Sequence, residues 1–152
     1  MRVNAYLLIA VVAFSSMSLW QAAPAQAELL SQAQQYNGLH ESKNNGTLRK
    51  ILGINPRSTP WCGYFLSYVA KKAGRTPPKS FALAKSWTSF GYAVPIKSAK
   101  PGDVVVVRTG KRYHAGILKR LTGQTAELLG GNQSNRVQVS QFSRKQIVSV
   151  RR

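Results

Sequence analysis

The hydrophobic period of this chain changes once, at Lys100-Pro101-Gly102-Asp103, and that change constrains the fold more than any other feature. Before it, apolar residues recur at helical spacing. Trp61, Phe65, Val69 and Ala73 stand four apart, with Leu66 beside them, which predicts a helix with one buried face. Thr59 can cap that helix and Pro60 suits its first position. Gly74 and then Thr76-Pro77-Pro78 stop it. Shorter helices are expected over Leu29–Gly38, Leu48–Leu52 and Ser80–Phe90. After the change the pattern is one of strands: Val104–Val107, Tyr113–Leu121, Ala126–Asn132, then around Val137 and Val139, and Ile147 to Val150. Turn formers such as Thr109-Gly110-Lys111-Arg112 and Thr122-Gly123-Gln124 separate them. Turns that short join antiparallel neighbours. Helices first and a meander afterwards predict an α+β fold, with the Trp61 helix packed on a sheet of about five strands.

The N-terminus has a different character. Arg2 precedes an apolar run from Ala5 to Leu19, and Ala25-Gln26-Ala27 has the small-x-small pattern of a cleavage site. Residues 1–27 read as a secretory signal peptide, the run of roughly 15 residues being short of the ~20 that a spanning helix needs. Residues 28–152 then form a single domain, with no second stretch able to span a bilayer. A periplasmic or extracellular location is expected.

Charge narrows the partners. The formal charge of +18 falls only to +17 when Arg2 is removed, because the chain has four acids, Glu28, Glu41, Asp103 and Glu127. Such a field attracts polyanions. For an exported protein, anionic cell-envelope polymers are the expected partners and nucleic acid is not. The basic residues are spread along the sequence, and their order does not say whether they share a face.

One cysteine is present, Cys62, so no internal disulfide can form. In an oxidising compartment a lone thiol is either buried or functional. One Cys and two His are too few for a structural zinc site, which takes four ligands. No metal or cofactor is expected.

Cys62 falls in the first turn of the predicted helix, where free N–H groups and the helix dipole favour a thiolate. His114 follows 52 residues later inside a strand pattern, where it can act as the base. Asn132 stands on the next strand in Gly130-Gly131-Asn132-Gln133. In a regular strand Leu128, Gly130 and Asn132 share a face, so Asn132 is the residue expected to hold the His114 ring. Gly63 and Gly116 are expected to leave room for substrate or for the thiol. A strand histidine and a lone cysteine are each commonly structural. Their combination with Gly-Gly-Asn is what points to a Cys62, His114, Asn132 catalytic set. Trp87 suits core packing or a glycan groove, Glu41 a helix-end ion pair, and Asp103 its own turn.

Five segments carry a resemblance: Thr59-Pro60-Trp61-Cys62-Gly63-Tyr64-Phe65, Ala84-x-x-Trp87, Pro101-Gly102-Asp103-Val104-Val105-Val106, His114-Ala115-Gly116 and Leu129-Gly130-Gly131-Asn132-Gln133. Together they resemble the CHAP and NlpC-type superfamily of papain-like amidases and endopeptidases of bacterial cell walls. The branch most similar comprises small secreted proteins with Trp-Cys and Gly-Gly-Asn-Gln motifs. The resemblance implies a papain-like fold, a Cys62 nucleophile, a His114 base, and cleavage of amide bonds in the peptide part of peptidoglycan by a monomer. An inhibitor or immunity protein is a further partner of such an enzyme. Two departures stand out. Gly130 occupies the place where many CHAP members carry a glutamate, and no Gln lies between Glu41 and Cys62 to donate to an oxyanion. Two other readings remain open on the residues: a cationic envelope-binding protein with a degenerate site, and an acyltransferase or transglutaminase using the same Cys–His pair.

Overall fold

The computed structural model describes residues 24–152. The apolar run assigned to the signal peptide therefore lies outside the described residues. Ala25–Ala27, the expected cleavage site, forms the first turn of α1 (Ala25–Gln34). Two further helices follow, α2 (Asn45–Leu52) and α3 (Cys62–Lys72). The strands are β1 (Val104–Thr109), β2 (Arg112–Leu121), β3 (Thr125–Gln133), β4 (Arg136–Ser143) and β5 (Ile147–Arg151). They form one antiparallel sheet in the order β4-β3-β2-β1-β5. The α+β architecture is thus helices followed by a five-stranded antiparallel sheet.

Helix α3 forms where its apolar stripe requires. Phe65, Leu66, Val69 and Ala70 are buried, as is Trp61 just before it. Its end is a Schellman motif: the Arg75 N–H donates to the Ala70 carbonyl (2.8 Å) and the Gly74 N–H to the Lys71 carbonyl (3.0 Å), with Gly74 at φ 69°. Its start differs from the expectation. The helix begins at Cys62 itself, with Trp61 as N-cap and no side-chain cap from Thr59.

The segment expected as a helix over Ser80–Phe90 is a 3-10 helix at Ala84–Ser89. Its hydroxyls explain the shortening. Ser86 Oγ donates to the carbonyls of Ser80 (2.6 Å) and Leu83 (2.7 Å), and Thr88 Oγ1 to that of Lys85 (2.8 Å). Such local bonds compete with an α-helical ladder. Trp87 is fully buried, and its Nε1–H holds the Phe81 carbonyl at 2.8 Å, so it is a core residue.

The sheet has two unlike faces. One packs under the helices, where Val104, Val106, Ala115, Ile117, Leu129 and Val137 meet Trp61, Phe65, Leu66, Val69 and Trp87. The other carries a smaller cluster of Val105, Val107, Leu118, Ala126, Leu128 and Val150, with Phe142 packed against it. Asp103 ties the two ends of the sheet region. It accepts the Lys100 N–H (2.8 Å), ordering its turn, and a two-pronged bond from Arg152 (2.8 and 2.9 Å).

Candidate active site

Cys62 is the first residue of α3 and is buried. Its thiol is turned to backbone amides: that of Ala115 on β2, then those of Gly63 and of Cys62 itself. These donors favour the thiolate, but burial outweighs them and pushes the thiol above its ordinary value. The helix terminus alone therefore does not ionise this cysteine, and in the resting protein it is a neutral thiol.

The amide of Ala115 is available because β2 and β3 separate there. Their pairing begins only at Ile117–Leu129 and Leu118–Leu128. Toward His114 the β2–β3 pairing stops, and the Cys62 thiol takes up the Ala115 amide there.

His114 precedes Ala115, so alternation sends its side chain the other way. The ring stacks on Phe142 (centroids 5.5 Å apart, 19° between planes), and its Nε2 lies 3.1 Å from Gln133 Oε1. Thiol and imidazole thus flank the same His114–Ala115 peptide unit from opposite sides. The hydrogen-bond partner of the imidazole is Gln133, not Cys62.

The geometry around Gln133 fixes the tautomer of His114. The Gln133 amide nitrogen donates to the carbonyls of Leu128 (3.1 Å), Gly130 (3.4 Å) and Gln138. That orientation turns the amide oxygen toward the ring. His114 Nε2 must then be the protonated nitrogen, and Nδ1 carries the free lone pair. Burial pushes the imidazole down to about 4, against a smaller upward effect of the Gln133 bond, so the ring is neutral at pH 7.

Asn132 is not the residue that orients the ring. Between Gly130 and Gln133 the chain takes one residue more than the opposing Gln138–Arg136 stretch of β4, a β-bulge. Asn132 sits in it at φ 59°. The extra residue inverts the alternation, so Gln133 rather than Asn132 lands beside His114. Ser134 and Asn135, both at positive φ (50° and 63°), then close a two-residue hairpin to Arg136. Asn132 lines the two clefts on either side of the bulge instead.

The glycines take roles other than those expected. A Cβ on Gly63 would lie 2.1 Å from the Phe81 carbonyl oxygen, so this position admits the 81–82 loop and not a substrate. A Cβ on Gly116 would press on Leu128 and Leu129 of β3 (3.1 and 3.2 Å). In the Gly-Gly pair each residue serves one face. Gly131 lets β3 approach α3, since a Cβ there would meet Phe65 and Trp61 at 2.6 and 2.7 Å. Gly130 makes the space filled by the imidazole, 3.3 Å from His114 Nε2.

Two clefts border this region. One of about 410 Å³ holds His114 and Gln133, with Arg112, Asn132 and Phe142 in its walls. One of about 260 Å³ lies ahead of α3, between the Pro56–Pro60 loop and Asn132 and Asn135, with Glu41 in its wall. A larger hollow of about 870 Å³, between Ile96, Thr125, Phe142 and Arg144, is lined by neither Cys62 nor His114. Glu41 makes no ion pair among the described residues. Its Oε2 accepts the indole N–H of Trp61 at 3.2 Å. Among the described residues, no group of three or more His, Cys, Asp or Glu can hold a metal ion, and no helix is long and apolar enough to cross a membrane.

No family model matches the chain, and no curated protein matches it.

Proposed function

We propose that this protein is an exported, papain-like cysteine hydrolase that cleaves amide bonds in the peptide part of bacterial peptidoglycan. The observation that carries the reading is the seat of Cys62. A nucleophile type stands at a helix N-terminus, where the β2–β3 pairing stops, against the peptide unit that also bears an oriented imidazole. Burial alone would call for no break in the pairing and no polarised histidine beside it.

The chemistry follows from the groups in place. Cys62 Sγ attacks a substrate carbonyl as its proton passes to His114 Nδ1, the nitrogen that Gln133 leaves free. This transfer requires the ring to turn from its seat on Phe142 toward Cys62. The amides of Ala115, Gly63 and Cys62 that face the sulfur favour its thiolate as the proton leaves. The imidazolium then protonates the leaving amine; the neutral ring next takes a proton from the water that adds to the thioester and returns it to Cys62 as the C–S bond breaks and the acid leaves. No cofactor enters this scheme. The cell-wall substrate rests on the motif resemblance, and the charge of +17 supports attraction to anionic envelope polymers.

A second reading has its own observation. The thiol is neutral and the imidazole is engaged by Gln133, as suits a cationic envelope-binding protein whose site has lost its chemistry. The readings part on peptidoglycan sacculi, with products identified by mass spectrometry. The hydrolase releases fragments that the Cys62→Ala protein does not. The binder releases none, retains equal binding in Cys62→Ala, and loses it with salt.

A further inference from the structure

The cleft ahead of α3 is lined by an acidic side chain, Glu41, that is bonded to Trp61, the residue before Cys62. Of the four acids, Asp103 is held by Arg152, Glu127 by Arg120, and Glu28 bonds Gln32 on α1. Glu41 lines the cleft with Arg57, Ser58, Asn132 and Asn135. Its position is fixed from two sides. Its backbone N–H donates to the Asn135 carbonyl (2.8 Å), and its Oε2 takes the N–H of the buried Trp61, the residue next to Cys62. The remaining carboxylate oxygen has no hydrogen-bond partner among the described residues. A fixed, half-satisfied carboxylate one residue from the nucleophile's helix is suited to a cation, and the neighbouring amide side chains supply acceptors for its further N–H groups. Arg57 in the same wall supplies the opposite charge, which matches a carboxylate carried beside that cation.

We propose that this cleft is a substrate subsite that binds a primary ammonium group on the peptide, with Glu41 as the specificity-determining residue. The placement next to Cys62 rests on the hydrolase reading, but binding itself does not require catalysis.

The test uses the Cys62→Ala chain, which binds without turnover, and the synthetic peptide L-Ala-γ-D-Glu-L-Lys as probe. The peptide is offered with its amino groups free or acetylated, and affinity is measured by calorimetry. Free peptide is expected to bind about tenfold tighter than the acetylated form, the size of a charge-assisted contact. Adding Glu41→Gln, which keeps an acceptor for Trp61, removes that preference. The Trp61 indole N–H resonance shifts when the free peptide binds. Equal affinity for both peptides, or a Glu41→Gln loss that is the same for both, overturns the proposal. If neither peptide binds while the wild type still digests sacculi, the subsite is wrong and the hydrolase stands. If the preference is found but sacculi stay intact, the subsite stands and the hydrolase falls.

Discussion

The face of the sheet under α3 and the face that carries Phe142 are built from the same strands and differ in almost everything else. The first is apolar and closed. Trp61, Phe65 and Val69 meet Ala115, Ile117 and Leu129 there, with no exposed side chain among them. The second is half-open, and a polar cluster of His114 and Gln133 sits in it beside Phe142. At His114–Ala115, beyond the last β2–β3 pair, the peptide unit carries the imidazole on one side and gives its amide to the Cys62 thiol on the other. The closed face fixes α3, and the other face holds the His114 ring between Phe142 and Gln133.

The comparison can be broken most severely at the thiol and the ring. Cys62→Ala is expected to abolish hydrolysis of sacculi, and His114→Ala to lower it by about 10²- to 10⁴-fold, with circular dichroism unchanged in both. Full activity in either variant would dissolve the pairing of the two faces.

Acid tests the open face alone. The pKa of His114 is depressed from 6.5 to about 4, so the unfolded chain takes up its proton first. The stability due to the neutral ring is complete above about pH 6.5. It falls as pH drops toward 4, by roughly 3 kcal/mol in all, and changes no further below. Urea unfolding of wild type and His114→Gln across this range should show the slope in the first and its loss in the second.

Gly131→Ala probes the closed face. Its Cβ would strike Phe65 and Trp61, and the expected cost is about 1–3 kcal/mol of stability in urea unfolding. Gln133→Leu removes the acceptor for the ring. Nitrogen-15 NMR should then show a mixture of His114 tautomers in place of the Nε2–H form, with kcat reduced by up to about 100-fold and KM little changed. The smallest change is Gly130→Ala, whose Cβ would press the ring at 3.3 Å. Stability is expected to move by less than about 1 kcal/mol while activity falls. An equal stability loss in Gly130→Ala and Gly131→Ala would contradict the assignment of one glycine to each face.

Much of this arrangement is legible in the sequence. The four-residue spacing from Trp61 to Val69 and the turn formers after Lys100 specify α3 and the meander, because burial of one face enforces both periods. Cys62 at the head of α3 and His114 within β2 stand on the elements that the residue pattern assigns them. The third site residue is not, because the count along β3 assumes an unbroken strand. A single extra residue, with Asn132 in a left-handed conformation, moves the ring's partner to Gln133. Asn after two glycines is the local signal for such a bulge, since both types tolerate the backbone it needs. The 3-10 helix at Ala84–Ser89 escapes for a similar reason: apolar spacing there suggests a regular helix, and the hydroxyls of Ser86 and Thr88 redirect the backbone. Nor does the sequence reveal that burial outweighs the helix terminus at Cys62, which depends on how deeply α3 seats against β2.

The central claim is that Cys62 forms a thioester with the peptide it cuts. Wild-type protein mixed with sacculi, quenched in acid within the first turnover and digested, should yield a Cys62-containing peptide heavier by the mass of a cell-wall fragment. The His114→Ala protein should yield far less of it. An unmodified Cys62 in samples where wall fragments are already accumulating would contradict the account.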